Sequence, residues 1–182
     1  MPKTSALPER ESRDGQGAAH GVAVYEEFKN FSPPVRVAYV VQGMLGVVAP
    51  EALTGLQSIV LTNQSALSPK QQRRRLPKGV AKGYAVGGLY HSGNGHAPAW
   101  IELFLDNIFG GKQRWILRLP LVRDVLLAPA LFHEIGHHID FASTASNRDR
   151  ESGADHWKKA LVGGDGVTPS FFRSWGSLVR QF

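Results

Sequence analysis

A chain of 182 residues with 42% apolar side chains supports one domain with a full hydrophobic core. Its 21 basic and 15 acidic groups leave a net charge of +6, and it contains no cysteine. That composition excludes a disulfide framework and thiolate metal sites and fits a cytoplasmic setting. No apolar run reaches about 18 residues, which excludes a membrane-spanning helix.

Residues 1–20 are polar, carry Pro2, Pro8, Gly15 and Gly17, and read as a mobile tail, leaving 21–182 as a single domain. The charges Lys3, Glu9, Arg10, Glu11, Arg13 and Asp14 stand where a secretory signal would be apolar. Residues 21–31 are ambiguous; Val22, Val24, Phe28 and Phe31 suit a short helix packed on the body. After Pro33-Pro34, the spacing of Val37, Val40, Val41, Met44, Leu45 and Val48 predicts a helix ending near Gly46, with strand left open by the β-branched content. Pro50 interrupts, residues 51–55 make a helical turn, and residues 56–62 (LQSIVLT) read as a strand.

Residues 63–83 form a long polar connection. Within it Lys70, Arg73, Arg74, Arg75, Lys78 and Lys82 stand without a single acid, and these six account for the whole net charge. A solvated basic loop and a contact for nucleic acid or an acidic substrate both fit this segment. No aromatic lies between Gln71 and Gly83, so the segment offers no base-stacking platform. Residues 84–90 (YAVGGLY) read as a second strand weakened by Gly87-Gly88, and 91–96 as a Gly-rich turn. Residues 99–108 read as a third strand, in which Trp100, Glu102, Phe104 and Asp106 alternate with Ile101, Leu103, Leu105 and Asn107. Gly110-Gly111 ends it. Residues 119–128 lead into the next helix, with Pro129 at its first turn or at a kink.

That helix, residues 130–142 (ALFHEIGHHIDFA), carries the chemistry. His133 and His137 are separated by four positions, so a helix stacks them on one face with their nitrogens able to converge on one metal ion. Glu134, one residue after the first histidine, is offset from that face and can take a proton from a water activated at the metal. Leu131, Phe132, Ile135, Ile139 and Phe141 surround the polar triplet, and a buried histidine pair lacking partners would be costly among them. Catalytic zinc takes three protein ligands plus water. With no cysteine, the third ligand has to be His, Asp or Glu. His138 points about 100° from His137 along the helix and reads as a packing or rim residue. Asp140 fits either a support for a ligand ring or a solvated helix end.

A second helix follows at residues 148–163, with Ser146 or Asn147 as N-cap and Asp149 and Glu151 in its favourable first turn. Glu151 and Asp155 share a face. Glu151 can bind the metal while Asp155 accepts the second ring N–H of a ligand histidine. Thr168-Pro169 then opens a final helix to residue 181, with Phe171, Phe172, Trp175, Leu178 and Val179 available for packing.

The pairing of His133-Glu134-Ile135-Gly136-His137 with Glu151-Ser152-Gly153-Ala154-Asp155 resembles the two-helix signature of the gluzincin metallopeptidases, H-E-x-x-H followed by E-x-x-x-D. The short connection is more similar to the minigluzincins and to phage and bacterial repressor-cleaving metallopeptidases. The metzincin pattern fails, because position 140 is Asp and position 143 is Ser. The resemblance implies a zincin-like peptidase with Zn2+ held by His133, His137 and Glu151, Asp155 behind them, and Glu134 as general base. It also implies that the strand before the metal helix, with Trp100, Glu102 and Phe104, forms a rim that pairs with an extended peptide or protein substrate. The oxyanion donor stays open among Tyr84, Tyr90, His91, His96 and Arg173. The expected fold is α+β: a short twisted sheet of about three strands, an N-terminal helix, the HExxH helix, the Glu-ligand helix and a C-terminal helix. Two other readings keep the site: a regulatory protease or nucleic-acid-associated protein using residues 70–82, and a non-catalytic module in which a metal staples two helices.

Overall fold

The computed structural model describes residues 19–68, 86–93 and 97–142. Over these the chain is α+β, with a four-stranded mixed sheet and three helices. The strands are β1 (Ala23–Glu27), β2 (Leu56–Thr62), β3 (Gly88–His91) and β4 (Ala99–Phe104); the helices are α1 (Val37–Leu45), α2 (Leu105–Phe109) and α3 (Pro120–Ala142). The sheet runs β1-β2-β4-β3. β1, β2 and β4 are parallel, and β3 pairs antiparallel with β4. A parallel pair needs a crossover, and α1 supplies it between β1 and β2.

β1 is the strand that the periodicity of residues 21–31 leaves undecided. The expected short helix does not form. A helix that buried Val22 would also turn Glu26 inward, whereas the chain buries Val22 and Val24, two apart, and leaves Glu26 exposed. Glu26 then has a further use. Its carboxylate accepts the backbone N–H of Ala38 at 2.8 Å, serving the open N-terminus of α1, where Arg36 gives no side-chain cap. Asn63 ties the far end of the strand pair: its side chain accepts from Lys29 N–H and donates to Lys29 C=O, both at 2.9 Å.

β2 and α1 lie where the apolar spacing puts them, α1 ending at Gly46. The turn expected after Pro50 is a 3-10 turn, Pro50–Leu53. β4 is shorter than residues 99–108. Continued alternation would set Asp106 in the buried row of Glu102 and Phe104. Instead the chain coils into α2, and the Asp106 carboxylate accepts backbone N–H groups of Gln64 at 2.8 Å and Ser65 at 2.9 Å. The Asn107 side-chain amide also donates to Val86 C=O at 2.8 Å. These bonds between distant segments override a local strand pattern.

The metal-motif helix is also longer than residues 130–142. It starts at Pro120, whose fixed φ suits a first helical position, and it runs through Pro129. Pro129 lacks the N–H that would meet the Val125 carbonyl, but Val125 is exposed, so water can reach that turn. One core joins Val37, Val41, Met44 and Leu45 of α1, Ile59, Leu61, Ile101 and Leu103 of the sheet, and Leu127, Leu131, Phe132 and Ile135 of α3. On the opposite sheet face Val60, Glu102 and Phe104 are buried as well. Among the described residues no helix is long and apolar enough to cross a membrane. The expected Glu-ligand and C-terminal helices fall outside the described residues, as does the basic segment 70–82.

Near its start, α3 holds a buried ion pair, Arg123 Nε to Asp124 Oδ1 at 2.9 Å. Burial raises the Asp124 pKa, and the Arg123 guanidinium opposes this only in part. From the ordinary value of 3.8 upward, the folded state therefore binds more protons than the unfolded one, and stability falls as pH rises until Asp124 is ionised in both. Arg123→Ala should cost about 3–5 kcal/mol at neutral pH by stranding the carboxylate. Asp124→Asn should flatten the acid-side slope. Urea unfolding across acidic to neutral pH checks both.

Candidate metal and catalytic site

The polar residues of α3 fall on two neighbouring stripes of the helix, because positions four apart share a face. His133 and His137 form one stripe, Glu134 and His138 the other. The first pair is half-buried. Its Nε2 atoms lie 3.1 Å apart, with the rings nearly perpendicular. Two imidazoles on a tetrahedral zinc, with Zn–N bonds of 2.0–2.1 Å, bring their nitrogens to about 3.3 Å. The pair therefore fits one metal ion.

The second stripe faces β3. Glu134 is only 6% exposed and lies directly against the backbone of Gly88. One turn on, His138 is 4% exposed and bonded at both ring nitrogens. Nε2 lies 3.0 Å from Thr54 C=O, which can only accept, so this nitrogen carries the hydrogen. Nδ1, 3.2 Å from the Tyr90 hydroxyl, then accepts from it. Burial lowers the His138 pKa, while the Thr54 bond works in the opposite direction. His138 is thus a junction of α3, β3 and the turn before β2. Asp140 is buried, which removes the solvated helix-end reading.

The expected substrate rim moves. β4 lies between β2 and β3, so an extended peptide cannot add to residues 100–106; among the described residues the outer strand beside α3 is β3. Leu103 and Ile101 pair with Gly88 and Tyr90 on the α3 side, and by alternation Trp100, Glu102 and Phe104 occupy the other face. There the His91 ring stacks on Trp100 at 3.9 Å, and its Nε2 lies 3.3 Å from Glu102. His91 therefore does not share the motif face. Of the other oxyanion candidates, Tyr90 gives its hydroxyl hydrogen to His138, and Tyr84, His96 and Arg173 lie outside the described residues, as do Glu151 and Asp155. Among the described residues no group of three metal-ligating side chains occurs.

Gly88 is a site residue that the sequence does not single out beyond weakening a strand, and Tyr90, a candidate oxyanion donor by sequence, instead bonds His138. A signal was present: glycine inside a strand marks close backbone approach as well as a weak strand. No protein-family model, curated protein or solved structure matches the chain.

His138→Phe should lower stability by about 1–3 kcal/mol, since the buried Thr54 carbonyl loses its donor, and Tyr90→Phe by about 1 kcal/mol. Equilibrium urea denaturation measures both; no loss in either variant would contradict the junction.

Proposed function

We propose that this protein is a zinc-dependent, gluzincin-like metallopeptidase. The observation that carries the reading is the 3.1 Å approach of His133 and His137 Nε2 beside a Glu134 buried under an outer antiparallel strand. That arrangement, a mixed sheet with β3 laid across the motif helix, supports a zincin-like fold. His133 and His137 would hold Zn2+, with Glu151 as third ligand and Asp155 orienting a ligand ring. When bound, zinc polarises a scissile carbonyl and acidifies water.

The chain's own groups supply the rest. Glu134 accepts the proton of the water that attacks the scissile carbonyl, then delivers it to the departing amide nitrogen. Its place against β3 keeps the carboxylate in a water-poor setting and at a fixed height above the helix. An extended peptide runs along β3. The Phe104 N–H bonds to Gly87 C=O at 2.9 Å, so alternation turns the N–H and C=O of Gly88 away from β4, toward such a strand. A cysteine-free chain suits a cytoplasmic enzyme.

Zinc analysis and digestion of a peptide library test the reading. The wild type should bind one zinc and cleave. Glu134→Gln should keep the metal and lose turnover by about 100-fold or more, and His133→Ala should lose the metal. Turnover by Glu134→Gln at the wild-type rate would reject the proposed base.

A further inference from the structure

We propose that Gly88 is a positioning residue: the space left by its missing side chain is the slot that fixes the Glu134 carboxylate. The proposal deepens the peptidase reading and rests on it for its catalytic consequence. A Cβ at position 88 would stand 2.6 Å from Glu134 Cγ, 2.9 Å from Glu134 Oε1 and 2.9 Å from Leu103 Cδ2. Non-bonded carbons do not approach so closely, so any other residue forces Glu134 or Leu103 aside. Leu103 is fully buried in the core and Glu134 nearly so, which leaves neither much room.

Backbone conformation does not explain this glycine. Gly88 lies in the regular strand β3, and its φ is not among the positive values found at Gly21, Gly55, Gly110 and Gly111. Glycine inside a strand is a conformational cost, so its presence needs a compensating contact. The neighbouring Gly87 shows the contrast. A Cβ there would meet Ala130 Cβ at 3.4 Å and Ile108 Cγ1 at 3.6 Å, which is ordinary packing. Of this glycine pair, only the position above Glu134 demands a bare backbone; Gly93, also crowded, meets the backbone of the turn before β4 and no site residue. A carboxylate on a flexible stem can swing; nearly buried against the bare Gly88 backbone, it has little room to do so. A displacement of about 1 Å in a reacting group can cost about 100-fold in rate.

The test compares Gly88→Ala, Gly87→Ala, Glu134→Ala and the Gly88→Ala/Glu134→Ala double variant of the full chain. In the zinc-loaded protein, Gly88→Ala should lower kcat about 100-fold, with KM within about twofold and zinc stoichiometry unchanged. Gly87→Ala should stay within about threefold of wild type in kcat. Without any substrate, Gly88→Ala should lower the urea midpoint of the wild type clearly more than that of Glu134→Ala, in which only the Leu103 contact remains crowded. An equal midpoint drop in both backgrounds, or an unchanged kcat in Gly88→Ala, overturns the proposal. If Gly88→Ala alone does not fold, the comparison is repeated with Leu103→Ala added to both backgrounds to remove the second crowded contact: folding only where Glu134→Ala is also present supports the slot, and failure to fold in both overturns it. A wild type that cleaves no peptide overturns the peptidase reading, and with it the catalytic role of Gly88, while the midpoint comparison still decides the contact.

Discussion

Two imidazole nitrogens 3.1 Å apart cannot both carry a proton and face each other. Either one donates to the other, or both turn lone pairs toward a shared cation. The four-residue spacing on α3 imposes this closeness, and the rest of the site depends on it. Because His133 and His137 share one stripe, Glu134 and His138 must share the next, and that second stripe has to be satisfied by protein. The antiparallel strand β3 does so. Gly88 admits the Glu134 side chain, and Tyr90 meets His138 from the same face of the strand.

The architecture follows from those demands. The apolar positions of α3 join α1 and the sheet in one core, which sets the height of the helix under β3. His138 then reaches Thr54 at the entry to β2, so the register of the helix is checked at both strands. Asp106 and Asn107 hold the segment leaving β4 to the turn after β2 and to the residues before β3.

The histidine pair, the offset glutamate, α1 and β2 were legible in the sequence because each rests on local periodicity. β1 was not: Val22 and Val24 with two phenylalanines further on satisfy helix and strand alike, and only pairing with β2 decides. The end of β4 was not legible either, since alternation persists to Asn107 while Asp106 is claimed by backbone donors some forty residues away. The clearer alternation of residues 99–108 points to the wrong strand as the outer one. A strand buried on both faces shows strong apolar character because it is interior, and the short, glycine-containing β3 looks weak for the same reason that it can lie against Glu134.

The central claim is a metal held between His133, His137 and a carboxylate from the following segment. A crystal structure of the zinc-loaded protein, with anomalous scattering recorded at the zinc edge, tests it most directly. The expected result is a single peak within bonding distance of both Nε2 atoms and of the Glu151 carboxylate, with one coordination position open. A zinc-loaded protein with no peak at the His133–His137 pair, or one with Glu151 turned away from it, would contradict the account.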